Sequence, residues 1–224
     1  MPFGNATRLA QMEVRINHTT FVLLAERALF VPEIKALCIA DWHLGKAAHF
    51  RKSGISLPQP LVEREFALIE GILEKCQAEQ VFFLGDLFHS DKNNDWEGFA
   101  GFIGNLPRIK FTLIKGNHDV ISDRIYEELA IEAIDSFTWE NRVIFTHEPL
   151  YGKTPPGLLN IAGHIHPGYG VRLKARQGMV LPCFHYNSPT LLVPAFGELT
   201  GLYRMEKCAG QEVYCILGQE VIPV

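Results

Sequence analysis

"ALCIADWH", residues 36–43, is an apolar run that stops at an aspartate, with a histidine two residues on. Five residues with no polar face read as a strand buried on both sides, the kind found inside a parallel sheet. The polar pair then lies just past the strand's carboxyl end. The same phrase recurs in "VFFLGDLFH" (81–89), "FTLIKGNHD" (111–119), "RVIFTH" (142–147) and "LLNIAGHIH" (158–166). Each apolar run ends in side chains able to hold a metal: Asp41 and His43; Asp86 and His89; Asn117, His118 and Asp119; His147; His164 and His166. Ligands of open α/β sheets bind beyond the carboxyl ends of the strands, so these five loops are expected to converge on one site.

Working outward, "FVLLA" (21–25), "TLLVPAFG" (190–197) and "EVYCILG" (212–218) add further strands. "ERA" (26–28) reads as a hairpin turn. Leu61 to Gln77 has apolar residues at 61, 62, 66, 69, 72 and 73, one face of a helix, with Pro58 and Pro60 just ahead. Asp95 to Ile103 and Ser122 to Leu129 are two shorter helices, the latter capped by Ser122 or Asp123. Strand and helix alternate early, and strands dominate late. The pattern predicts an α/β layered sandwich in which a mixed sheet carries its helices outside. No linker, repeat or low-complexity tract divides residues 1–224, so one domain is expected.

The chain has 224 residues, 47% of them hydrophobic, enough for a full core. A net charge of -4 argues against a broad nucleic-acid-coating surface but leaves room for a local basic groove. The five cysteines form no C-x-x-C pair, the usage of a reduced, cytoplasmic protein. "MPFGNATRLAQMEV" has no long apolar core, and "FVLLAERALFV" is too short and too charged to span a bilayer. Neither a secretory leader nor a membrane span is expected.

Carboxylate, amide and imidazole ligands suit Mn, Fe and Zn, and no cysteine stands among the candidates. The set exceeds what one ion needs. A pair of ions roughly 3.5–4 Å apart would use it, clamping the attacking and leaving oxygens of a phosphoryl displacement. The doublet His164/His166 fits such a pair: in an extended segment residues i and i+2 share a face about 6–7 Å apart, so each ring could reach a different ion.

In order and spacing, "DWH", "GDLFH", "GNHD", "THEP" and "GHIH" resemble the calcineurin-like metallophosphoesterase superfamily across residues 41–166. More narrowly, "DWHLGKAAHFRKSGI", "GDLFHS", "EPLYGKTPPGLLNIAGHIHPG" and "PAFGELTG" are similar to the bacterial ligase-associated DNA-damage-response phosphoesterases. The resemblance implies a four-layer α-β-β-α sandwich of two mixed sheets flanked by helices. It implies two divalent ions, Mn foremost, with Zn or Fe also suited. The first would take Asp41, His43, bridging Asp86 and His166, and the second Asp86, Asn117, His147 and His164. His118 would stand over the substrate as polarising group or general acid, oriented by Asp119. His89 departs from the family, which has aspartate there, and could support a ligand or touch substrate.

Lys46, His49, Arg51 and Lys52 follow the first ligand pair and make a short basic segment suited to a phosphate backbone or a nucleotide. The function so expected is hydrolysis of phosphodiester bonds in nucleic acid or nucleotides, in a DNA-repair setting with ligase, helicase or nuclease partners. A phosphomonoesterase or dinucleoside polyphosphatase is the alternative within hydrolases, and a mainly protein-binding accessory factor the alternative outside them. The presence of His118 and of every ligand position favours catalysis. Trp42, between two ligands, reads as packing, and His18, Cys183 and His185 as structure or surface.

Overall fold

The computed structural model describes residues 11–46, 61–88, 95–172 and 178–224. The expected contacts of His49, Arg51, Lys52 and His89 lie outside them. A meander of β1 (Gln11–Ile16), β2 (Thr19–Leu24), β3 (Leu29–Val31) and β4 (Ala36–Ala40) runs antiparallel. It continues in parallel through β5 (Gln80–Leu84), β6 (Lys110–Ile114) and β7 (Ile131–Ile134), giving a 7-stranded sheet in sequence order. The ERA hairpin forms as expected, closed by the Leu24 N–H on Ala28 O, with Arg27 at φ 61.

The second sheet is 9-stranded and also mixed. Its centre is β9 (Val143–Thr146), β10 (Leu159–Ala162) and β13 (Thr190–Leu192), mutually parallel in the order β9-β10-β13. β8 (Phe137–Trp139) edges one side. On the other side lie β12 (Gly178–Asn187), β11 (Pro167–Arg172) and β14 (Tyr203–Met205), with β15 (Glu212–Leu217) and β16 (Glu220–Pro223) branching from β12.

Period-two alternation sorts the core. Phe82 and Leu84 of β5 face the second sheet and meet Phe145, Ile161, Phe184 and Leu191. Val81 and Phe83 face the other way, onto the helices. These are α1 (Leu61–Cys76), α2 (Asp95–Gly104) and α3 (Asp123–Glu127), which contribute Ile69, Ile72, Phe99, Phe102 and Tyr126. The α/β architecture of two mixed sheets is thus the one expected. The described helices all lie on the first sheet. The outer face of the second carries a smaller cluster of Leu181, Cys183, Val213 and Cys215. Ser122 occupies the N-cap position of α3 without a side-chain cap bond. No described helix is long and apolar enough to cross a membrane.

Registers place the strand ends level. Ala40 pairs with Leu84, Phe83 with Leu113, and Thr146 with Ala162. An isolated bridge from Ala40 to Ala195 joins the two sheets at this edge.

Candidate metal centre

The turns after β4 and β5 are zipped together by backbone bonds. The amide of Asp41 donates to Gly85 O at 3.2 Å, that of His43 to Asp86 O at 2.9 Å and that of Leu44 to Leu87 O at 2.9 Å. Five candidate ligands sit in the left-handed region that non-glycine residues avoid: Asp41 (φ 50), His43 (φ 52), Asp86 (φ 50), His164 (φ 66) and His166 (φ 52). Such strain gathers at functional sites, where the surrounding structure enforces it. Glycines permit the approach of the loops. A Cβ on Gly163 would stand 2.6 Å from Asp41 Oδ2, and one on Gly116 would stand 2.4 Å from Asp86 Oδ1.

Two donor groups result, Asp41 with His43 and His166, and Asp86 with His147 and His164. Within each, the ligand atoms lie within 4.8 Å of one another. Asp86 reaches toward both, with Oδ2 3.8 Å from His43 Nε2 and Oδ1 3.5 Å from His147 Nε2. Each aspartate is aimed by an amide of another loop: the His164 N–H donates to Asp41 Oδ2 at 2.9 Å, and the His118 N–H to Asp86 Oδ1 at 3.0 Å. The other Asp41 oxygen, Oδ1, stands 3.2 Å from His166 Nε2, yet both atoms are buried with no hydrogen bond. Among the described residues neither Asp41 nor Asp86 has a lysine or arginine ion pair, only histidines nearby. Buried carboxylates without cationic partners are costly. Imidazole and carboxylate donors converging on them fit a divalent cation in each group.

The remaining predicted residues are placed as follows. Asn117 is exposed, and its Oδ1 lies 3.1 Å from His147 Nε2. His118 is exposed, its ring edge-on to that of His43 with centroids 5.9 Å apart. The hydrogen bonds of the Asp119 carboxylate run to backbone: it accepts the amides of Asp86 (2.8 Å), Leu87 (2.9 Å) and Gly116 (2.8 Å), buckling two loops together. Burial pushes its pKa up against the pull of these amides. Lys46 is half-buried beside His43, and burial lowers its pKa.

The doublet departs from its expected geometry. His164 and His166 are not in an extended segment. Both adopt left-handed backbone, and the Ile165 N–H turns back onto Gly163 O at 2.8 Å. The rings nonetheless divide between the two groups. Trp42 is packing, as expected, at 2% exposure among Phe66, Phe83, Phe99, Phe102 and Phe196. Glu65 was not singled out by the sequence, although it lines the same pocket as His43 and Lys46. A charged residue four before Ile69 on the apolar stripe of α1 was the available signal.

Residues 34–189 match the calcineurin-like phosphoesterase family, and the chain belongs to it. It is a hydrolase acting on phosphoric esters. A nuclease MPE of Pseudomonas putida is 27% identical, with 96% of this chain and 100% of that one covered and a TM-score of 0.80. The phosphoesterase Yfce of E. coli is 15% identical over 84% of this chain and 97% of its own, with a TM-score of 0.41. A protein of unknown function from Aquifex aeolicus is 18% identical over 58% of this chain and 78% of its own, with a TM-score of 0.43. No curated protein matches the chain.

Proposed function

We propose that the chain, as one domain over residues 1–224, hydrolyses phosphodiester bonds of nucleic acid or nucleotides with two divalent cations. The observation that carries this is the pair of adjacent donor groups with the Asp86 carboxylate between them. Asp41, His43, Asp86 and His166 would hold one cation, and Asp86, Asn117, His147 and His164 the other. Manganese is the preferred ion, with zinc or iron suited to the same donors. When bound, such a pair neutralises phosphoryl charge and lowers the pKa of the attacking water.

The protein's own groups do the rest. His118, solvent-facing beside His43, polarises the phosphoryl group and protonates the departing oxygen. Its backbone, tied to Asp86 Oδ1, keeps it in register with the shared carboxylate. Asp119 holds the Asp86 and Gly116 turns at fixed spacing. Lys46, with Arg51, Lys52 and His89, would steady the flanking phosphates. Preference for a diester is supported by the likeness, at 27% identity over nearly the whole chain, to a nuclease. A repair setting beside ligase, helicase or nuclease proteins is supported by the narrower sequence resemblance, and a cytoplasmic location by the cysteine usage.

The test is a metal-supplemented comparison of bis-p-nitrophenyl phosphate, p-nitrophenyl phosphate and single- and double-stranded oligonucleotides. The diester and at least one oligonucleotide should be turned over faster than the monoester. Turnover of the monoester alone would replace this reading with a phosphomonoesterase.

A further inference from the structure

Glu65 lies on α1 at 8% exposure, with Arg27 and Glu198 the charged groups that act on it. A carboxylate so buried needs partners. Among the described residues it accepts two hydrogen bonds. The Trp42 indole Nε1–H donates to Oε2 at 2.8 Å, and the Glu198 backbone N–H donates to Oε1 at 3.4 Å.

Trp42 is the residue between Asp41 and His43, both of which sit in left-handed backbone. Aspartate and histidine tolerate this conformation better than most residues, and it is held by the His164 amide on Asp41 Oδ2, by the backbone bonds to the Asp86 turn and by the packing of Trp42. The indole is caged by rings, the nearest being Phe196 with centroids 5.5 Å apart. Phe196 belongs to "PAFGELTG", which the metal centre does not otherwise use. That segment lies directly against the turn. The Phe196 N–H donates to Ala40 O at 2.8 Å, and a Cβ on Gly197 would stand 2.3 Å from the Trp42 carbonyl oxygen. Four separate segments therefore meet on one tryptophan: α1 through Glu65 and Phe66, β5 through Phe83, α2 through Phe99 and Phe102, and residues 196–197.

We infer that Glu65 and Trp42 are positioning residues, joined by a carboxylate–indole bond that fixes the Asp41–His43 turn so that both side chains reach one cation. The inference rests on the two-metal reading above. The aromatic cage sets where the indole ring lies, while the bond to Glu65 sets its rotation within the cage. The bond ties the residue between Asp41 and His43 to α1, so the backbone of the turn is held against the helix. Groups that orient ligands in this way typically change metal affinity 10–100-fold when removed.

The experiment is manganese titration of the full chain by calorimetry, with electron paramagnetic resonance to separate coupled from isolated Mn(II). Wild type should bind two ions and show the coupled signal. Trp42→Phe keeps an aromatic ring in the cage and removes the N–H together with the five-membered ring of the indole, so its effect is compared with that of Glu65→Leu, which leaves the indole whole. Trp42→Phe should weaken one ion 10–100-fold, leave the other within about threefold, and convert the coupled signal to an isolated one. Glu65→Leu should do the same, and Glu65→Gln, which keeps an acceptor, should restore near wild-type binding. If Glu65→Leu does not fold, Trp42→Phe decides. Unchanged affinity for both ions in Trp42→Phe, or equal weakening of both, overturns the positioning role while leaving the two-metal reading intact. A wild type that binds fewer than two ions overturns that reading and this one with it.

Discussion

His164 Nδ1 lies 3.0 Å from His147 Nε2, the rings meeting edge to face with centroids 4.9 Å apart. His147 Nδ1 is 2.9 Å from the Leu84 carbonyl oxygen, which only accepts. Nδ1 therefore carries the proton and Nε2 presents a lone pair. Nε2 is thereby turned toward Asn117 Oδ1, 3.1 Å away. A cation between the two atoms would take both as donors. In the other group Asp41 Oδ1 and His166 Nε2 lie 3.2 Å apart, buried and without a hydrogen bond, and the two groups share no histidine. His164→Ala should empty the position near His147 and Asn117 alone, and His166→Ala the position near Asp41 and His43 alone. Elemental analysis after dialysis against Mn should give about one ion per chain for each variant against two for wild type. Loss of both ions in either variant would mean the groups are not independent.

His118 should contribute to turnover rather than to assembly. Its side chain is exposed, and only its backbone bonds to the carboxylate of Asp86. His118→Ala should lower kcat on a diester roughly 10²–10⁴-fold, the usual contribution of a positioned acid. Metal content and Tm should not change. Near-normal turnover would remove His118 from the chemistry.

Much of the candidate centre was legible because each candidate ligand follows a largely buried strand, and such strands announce themselves as unbroken apolar runs. Asp41, Asp86, Asn117, His147 and His164 could all be placed by counting from those runs. Strands that are not doubly buried were not legible. β1 alternates exposed and half-buried residues at a sheet edge, β14 has three residues, and β12 contains Pro182. The backbone of the His164/His166 turn was misread for a related reason. The positive φ values there are imposed by partners distant in sequence, such as Asp41 receiving the His164 amide. Glu65 was hidden because its partner, Trp42, lies 23 residues away.

The glycines of the centre give a contrast that checks the geometry independently of activity. A Cβ on Gly85 would stand 2.2 Å from His147 Nδ1, at φ +72. Gly85→Ala should destabilise by about 2–4 kcal/mol, from left-handed strain plus the displaced imidazole. It should also lower occupancy of the His147 position. Gly71, inside α1, has open space around it, with nothing within 4 Å of where a Cβ would stand. Gly71→Ala should stabilise by about 0.5–1 kcal/mol, since alanine loses less freedom on entering a helix. Urea unfolding of both variants reads the two signs directly. A Gly85→Ala protein as stable as wild type would show that the His147 ring is not held where the structure has it.

Glu65 makes a stability prediction with a definite sign. Burial is the main cause that pushes its pKa up to about 7 from 4.5. The bonds from Trp42 and the Glu198 amide pull down, the Glu198 carboxylate pushes up, and Arg27 pulls down. The folded chain therefore holds this proton more tightly than the unfolded chain. Between the two values the native state carries more protons, so stability must fall as pH rises. The contribution is complete below about pH 4.5 and is lost progressively through about pH 7, each unit of the rise being worth about 1.36 kcal/mol. Glu65→Gln keeps the acceptor and cannot ionise. In the metal-free proteins the Tm of wild type should drop relative to Glu65→Gln from about pH 5 to pH 8. Parallel curves would mean that the carboxylate is already ionised in the native state across this range. The indole would then be held by a charged acceptor.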